Sequence, residues 1–247
     1  MKSDQIEGRN PVLEALRAKS PLSKIYLQEG IKRDSKIREL ILLSRKSRVR
    51  LDYIDKKKLD QMCQSDIHQG VIALRPVGNK KELTNVRDLI ERVESENKVP
   101  FFVIIRDVLY EHNLGAIIRT AVSAGVNGII VPPNTKFGPE VMRASMGGYE
   151  YANIAEENIF QAIKTIKENA IKVVGIEVTA EKYYYEADLT GALALIIGGE
   201  DHSLSEEIKN KCDFFVKIPL LSPINSLNMS VASGIVIYDK LRQELQD

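Results

Sequence analysis

Five short apolar runs recur from residue 99 onward: VPFFVIIRD (99–107), GIIVPP (128–133), KVVGIEV (172–178), ALALIIGG (192–199) and FFVKIPL (214–220). Each has the length of a strand. None alternates apolar with polar residues as a strand with one wet face would, so burial on both faces is expected. Helical patterns at 113–124, 158–169, 205–211 and 230–245 separate most of them. Strands alternating with helices predict an α/β domain whose parallel sheet is covered by helices on both sides. Ligands in such a fold collect where the carboxyl ends of the strands open into loops. The longest apolar stretch, ALALII at 192–197, is far too short to cross a bilayer.

The first 75 residues read differently. Asn10 before Pro11 signals an N-cap and first turn, with Val12, Leu13, Ala15 and Leu16 as the apolar face. KIYLQ (24–28) and RLDYI (50–54) read as strands, 35–47 and 55–63 as helices, and GVIALRP (70–76) as a strand stopped by Pro76. The expected result is a small α/β sandwich near the minimum size for independent folding. Residues 76–98 read as a linker carrying an amphipathic helix around Val86, Leu89, Ile90 and Val93. The predicted organisation is therefore 1–75, a linker at 76–98, and 99–247.

Charge follows the same division. The net charge is +1, yet residues 1–81 hold 19 Lys and Arg against 10 Asp and Glu, a balance of +9 that leaves −8 for the rest. A basic front half suits a polyanion such as nucleic acid, although a Lys-rich solvated surface has the same composition. Cys63 and Cys212 lie far apart without metal-type spacing and read as free thiols in a reducing compartment. Charges scattered through the first twenty residues argue against a secretory signal, so a cytoplasmic location is expected.

A dinucleotide site would need G-x-G-x-x-G after the first strand of the parallel domain; the turn there is RDVLYEHNLG, and no G-x-x-x-x-G-K-[ST] loop is present. Two other segments carry polar residues at the expected ligand edge: HNLGAIIRTAVSAG (112–125) and IPLLSPINSLNMSVASG (218–234). Asn113 falls where an N-cap is wanted, and Arg119 lies nearly two turns further on. On residue type alone, Asn113 reads as a cap and Arg119 as a surface side chain snorkelling over apolar neighbours before either reads as functional. In the second segment a strand ends at Ile218-Pro219, and SPINSLN leads into a helix near Ser230. Ser230, Ala232, Ser233 and Gly234 make one face of that helix thin enough for close packing or ligand approach.

Taken together, N-x-G-x-x-x-R-[TS]-A, an apolar strand ending G-x-E, and I-P followed by S-L-N-x-S-x-A resemble the three ordered motifs of the SpoU-type RNA 2′-O-methyltransferases of the SPOUT superfamily. HQGV (68–71) and EGRNPVLEAL (7–16) resemble the amino-terminal RNA-binding domain of the branch that methylates a guanosine of 23S ribosomal RNA. The resemblance implies a carboxy-terminal domain with a trefoil knot, S-adenosylmethionine as methyl donor, no metal, a homodimer and ribosomal RNA as partner. It places Asn113, Arg119, Glu200, Ser226 and Asn228 in catalysis, and Gly198, Gly199, Ile218, Pro219 and Leu227 around the cofactor. Arg9, Lys32, Arg33, Lys36, Arg45, Arg48 and Arg50 are the candidate RNA contacts. One stretch departs from the family pattern: G-G-E-D-H-S-L at 198–204 puts Asp201 and Ser203 where the family has glycines. His202 is read as an incidental loop residue, His112 as a helix-start contact and His68 as part of a domain junction. The alternatives are a transfer RNA methyltransferase of the same superfamily, or an RNA-binding protein that has lost catalysis through the altered loop.

Overall fold

The computed structural model describes residues 5–65, 67–76, 81, 83–198, 204–223 and 225–246. It contains two compact units, one of Met1–Glu82, Leu114–Arg119 and Lys136–Tyr151, the other of Leu83–Asn113, Thr120–Thr135 and Ala152–Asp247.

The first unit is built on β1 (Gln5–Glu7), α1 (Arg9–Arg17), β2 (Lys24–Gln28), α2 (Ser35–Lys46), β3 (Arg50–Ile54), α3 (Lys56–Met62) and β4 (Val71–Leu74). Its sheet has the order β1-β4-β2-β3, with β2 and β3 parallel and β4 antiparallel to both neighbours. The strands and helices expected here are present, with one correction. α1 starts at Arg9, capped by Gly8 at φ 100°, so Asn10 is not the cap and Pro11 is the third helical residue. Proline is tolerated there because the first-turn N–H groups have no intrahelical acceptor. Asp34 and Asp55 cap α2 and α3, accepting from the Ile37 and Lys58 N–H groups.

Glu7 on β1 is fully buried and makes no ion pair among the described residues. Its carboxylate accepts from the Gln64 N–H at 2.7 Å, the Ser65 N–H at 2.9 Å and the Cys63 thiol at 3.3 Å, and from the Ser65 hydroxyl and Gln5 amide. Burial works to raise its pKa, but the bonds from Ser65, Gln64 and Cys63 outweigh it and hold the carboxyl below its ordinary value.

The elements that follow are α4 (Val86–Ser95), β5 (Phe101–Ile105), α5 (Glu111–Ser123), β6 (Gly128–Val131), α6 (Pro139–Ala144), β7 (Ile154–Glu156), α7 (Ile159–Glu168), β8 (Lys172–Ile176), β9 (Lys182–Tyr183), β10 (Leu193–Ile197), α8 (Glu206–Lys209), β11 (Phe214–Lys217) and α9 (Met229–Glu244). In the second unit seven strands form a sheet of order β7-β6-β5-β10-β8-β11-β9, parallel throughout. β10 enters between β5 and β8, both earlier in sequence. Phe102, Ile104, Ala194 and Ile196 pack with Val86, Leu89, Ile90 and Val93 of α4 and with Ala162, Ile163 and Ile166 of α7. The intervening Val103, Ile105, Leu195 and Ile197 are buried too, on the opposite face. Both faces are therefore covered, as the uniform apolar runs require. The helix foreseen within 76–98 is α4, and its apolar side is part of this core. No helix among the described residues is long and apolar enough to cross a membrane.

In the first unit Arg75, just after β4, and Glu150 form an ion pair at 2.5 Å with both side chains 3% exposed. The Ser20 hydroxyl donates to the other Glu150 oxygen. Arg75 Nε is buried without a partner among the described residues.

Candidate active site

Because the large sheet is parallel, β5, β10, β8 and β11 deliver their carboxyl ends to one edge. Gly198 follows β10, Ile218 and Pro219 follow β11, and residues 106–110 lead from β5 into α5. Ile218 is half-buried, whereas Pro219, Ser226 and Leu227 are exposed in the run toward α9. Gly199, Glu200 and the departing residues Asp201, His202 and Ser203 lie outside the described residues.

α5 begins two residues earlier than the sequence suggests. Tyr110 is its N-cap, with no side-chain cap bond, so Asn113 is the third helical residue and not the cap. Glu111 favours this start, since a carboxylate in the first turn complements the helix dipole. The Asn113 side chain is committed elsewhere. It is 2% exposed, and its Oδ1 accepts from Asn228 Nδ2 at 3.0 Å. Asn228 in turn caps α9, its Oδ1 accepting from the Ser230 N–H at 2.9 Å and the Ser230 hydroxyl at 2.6 Å. One side chain thus starts a helix with its oxygen and holds a motif 115 residues away with its nitrogen.

Arg119 lies six residues beyond Asn113 on α5, about 120° around the helix from it. It is exposed and makes no ion pair among the described residues. The structure brings Asn113 and Asn228 together by a direct bond. The motif glycine between has a packing cause: a Cβ on Gly115 would lie 2.5 Å from the Ala144 Cβ and 2.8 Å from the Val141 carbonyl, so α6 crosses α5 at van der Waals limit there. Close packing does not explain Gly234, where a Cβ would meet Thr120 at an ordinary 3.6 Å.

Two acids at the same edge escaped the sequence reading. Asp107 follows β5, and its Oδ1 is buried with no hydrogen-bond partner among the described residues. Glu177 follows β8, is 7% exposed, and accepts from the Leu204 N–H at 3.3 Å. The signal was available, since each is a carboxylate ending an apolar strand run at the ligand edge. The orphaned Asp107 oxygen fits a ligand that brings its own donors, such as ribose hydroxyls or an ammonium group. Among the described residues no group of three or more His, Cys, Asp or Glu side chains is placed to hold a metal ion.

The candidate RNA contacts separate into two kinds. Arg9 pairs with Asp34 at 2.7 Å, Lys36 donates to Asn10 at 2.7 Å, and Arg50 pairs with Asp52 at 3.0 Å. Lys32, Arg33, Arg45 and Arg48 are exposed and make no ion pair among the described residues. His68 holds a turn inside the first unit: Nε2 lies 2.8 Å from Asp60, and Nδ1 accepts from the Gly70 N–H at 2.9 Å. His112 sits in the first turn of α5, its ring 5.8 Å from that of Tyr110. Both cysteines are free. Burial, then Glu7, pushes Cys63 up to about 11, and burial, then Asp213, pushes Cys212 up to about 12, so neither is a ready thiolate.

Residues 100–238 match the SpoU rRNA Methylase family, and residues 5–75 match RNA 2′-O ribose methyltransferase substrate binding. YacO of Bacillus subtilis (strain 168), by name a TrmH family tRNA/rRNA methyltransferase, is 35% identical over 243 residues, 97% of this chain and 96% of that protein. A solved RNA 2′-O ribose methyltransferase aligns with a TM-score of 0.82 at 24% identity, covering 99% of this chain and 90% of that one. An AdoMet-bound rRNA methyltransferase from Sinorhizobium meliloti aligns at 0.78 and 22% identity, covering 99% and 88%. At these identities the structural likeness speaks for the fold, and the sequence matches speak for descent. The chain belongs to the SpoU rRNA methylase family.

Proposed function

We propose that this chain transfers a methyl group from S-adenosylmethionine to a ribose 2′-hydroxyl of ribosomal RNA, with a guanosine of 23S ribosomal RNA as the target. The observation that carries this assignment is the Asn113–Asn228 bond. It ties the start of α5 at Asn113 to the loop bearing Ser226 and Leu227, at the edge where a parallel sheet binds ligands.

Bound S-adenosylmethionine supplies a methyl group already activated by its sulfonium charge. Gly198, Gly199, Ile218, Pro219 and Leu227 hold it through backbone groups, and Asp107 accepts one of its donors. The protein must align the 2′-oxygen and ease its proton away. An arginine stays protonated, so Arg119 acts with an RNA phosphate, stabilising negative charge as it develops on the hydroxyl oxygen. Arg119 is exposed, so its guanidinium can reach a phosphate of bound RNA. Asn113 and Asn228 fix the two motif segments and orient substrate and cofactor, with Ser226 beside them in the same group, and Glu200 holds Arg119 or the motif loops by a charge-assisted bond. Residues 1–75 bind the RNA, with Lys32, Arg33, Arg45 and Arg48 on phosphates and Arg9, Lys36 and Arg50 shaping the surface through their internal bonds.

A homodimer is supported by α9. Val231 and Tyr238 on α9 and Leu245 at its C-cap are 50, 47 and 77% exposed and recur every seven residues, an apolar seam that suits a second copy. The insertion of β10 between two earlier strands supports the threaded, knotted connection implied by the family.

Single-turnover methylation across pH by Arg119→Lys tests the chemistry: a rate reduced by about two orders of magnitude is expected, and a near-wild-type rate refutes a role for the guanidinium. Mapping 2′-O-methyl sites in RNA from cells with and without the gene tests the substrate. A lost site in transfer RNA alone refutes the ribosomal assignment.

A further inference from the structure

One aromatic cluster in the second unit has no part in the assignment above. Tyr183 and Tyr185 are stacked, with ring centroids 5.3 Å apart and planes 6° from parallel. Tyr184 meets Tyr185 edge-on at 5.1 Å and 79°. Lys217 Nζ lies 4.8 Å from the centre of the Tyr183 ring. Tyr185, so braced by two rings, is nonetheless 50% exposed. An aromatic surface already fixed in place loses little conformational freedom when something stacks on it.

The position is equally specific. β9 is the edge strand, and it pairs Tyr183 with Lys217, the last residue of β11 and the one before Ile218. The tyrosines therefore stand at the ligand edge, beside the segment assigned to the cofactor. Lys182 is exposed on the same strand. Of the nearby acids, Glu186 is engaged by the Tyr183 N–H at 2.9 Å, and Glu181 is exposed.

The geometry points to a stacking platform on which an unpaired base of the substrate RNA lies against Tyr185, with Tyr183 and Tyr184 as its backing and Lys182 and Lys217 beside the phosphates. Every base has a π-face, and recognition of single-stranded RNA uses exposed aromatics of this kind with cations near them. A second copy of the chain is a poorer fit, because a two-residue edge strand flanked by Lys182, Glu181 and Glu186 resists pairing with another strand. The platform rests on the reading of the chain as an RNA methyltransferase and extends it to a base outside the reacting ribose.

The chain contains no tryptophan, so Tyr185→Trp in the full-length protein introduces a single indole, excited selectively on the long-wavelength side of tyrosine absorption. Its fluorescence is followed while a 23S ribosomal RNA transcript or single-stranded oligoadenylate is added, and RNA affinity is measured for Tyr185→Ala and Tyr185→Phe. Quenching of the indole is expected, with about tenfold weaker binding for Ala and near-wild-type binding for Phe. S-adenosylmethionine affinity by calorimetry should be unchanged in all three variants. Unchanged emission with RNA bound, or an Ala variant that binds RNA as the wild type does, overturns the platform alone. An Ala variant that turns a dimer into a monomer by sedimentation also overturns it and assigns the surface to a second copy. Wild-type protein that binds neither RNA overturns the platform together with the RNA reading.

Discussion

Substituting Glu150 by glutamine leaves the Arg75 guanidinium buried without its counter-charge. Both side chains are 3% exposed, so water cannot replace the lost partner. The expected cost is about 3–5 kcal/mol, which for a chain of this size lowers Tm by roughly 6–20 °C. Removing both charges together has a different outcome. Arg75 Nε is buried without a partner among the described residues, so the pair already carries an unmet donor costing about 1–3 kcal/mol. Arg75→Met combined with Glu150→Leu removes that donor and fills the space with apolar side chains. Its stability should match or exceed the wild type by up to about 4 kcal/mol. The Ser20 hydroxyl keeps an amide partner in Glu150→Gln and loses it only in the double variant, where, being half-buried, it can turn to water. Calorimetric and urea unfolding of the three proteins decides the matter. A double variant as unstable as Glu150→Gln would mean the charges stabilise the fold in net terms. A single variant within about 1 kcal/mol of wild type would mean the pair is solvated.

Three further outcomes are expected. Gly115→Ala forces a methyl group to within 2.5 Å of Ala144 and 2.8 Å of a backbone oxygen, which should cost about 1–3 kcal/mol; wild-type stability would show that α6 is free to move away. Asn228→Ser keeps a capping oxygen for α9 but cannot reach Asn113, so it should be less stable than wild type and more stable than Asn228→Ala by about 1 kcal/mol; equal stability of the two variants would refute the cap. Glu7 has a folded pKa below its ordinary 4.5, so its stabilising contribution is present above that pH and is lost as the pH falls through the lower folded value. Acid unfolding should therefore be steeper in the wild type than in Glu7→Gln, and superimposable acid limbs would count against the buried-carboxylate network.

Much of this architecture is legible from composition and period. The apolar runs at 101–105 and 193–197 are buried on both faces because their alternate residues pack into different layers, and that is why they lack alternation. KIYLQ and RLDYI match β2 and β3 to the residue. Short elements are a different matter. β1, β7 and β9 have three, three and two residues, too few to show any period, and they are fixed by their partners. The two misplaced helix starts share a cause. Asparagine is a favoured cap, but Asn10 and Asn113 are each engaged by a distant side chain, Lys36 in one case and Asn228 in the other. Tertiary contact therefore decided where the helix began. The asparagines of the site were visible as motif residues, whereas their mutual bond was not. The positions of Asp107 and Glu177 at the ends of apolar runs are visible in the sequence, whereas their burial is a product of the fold.

The placement of β10 has a consequence for how the molecule is made. Its two neighbours, β5 and β8, lie up to 92 residues upstream in register, with Phe101 opposite Leu193. During synthesis the ribosome releases β5, β6, β7 and β8 while the slot at the middle of their sheet has no strand to fill it, and both flanking edges stay open until residue 197 has emerged. Long-range closure of this kind is slow, and open strand edges in an unfinished chain attract other chains. A nascent product stalled before β10 should be a client for chaperones, and no truncation upstream of that strand should yield a folded catalytic half. Splitting or circularly permuting the protein has the best prospect at joints that leave β5, β8 and β10 on one piece.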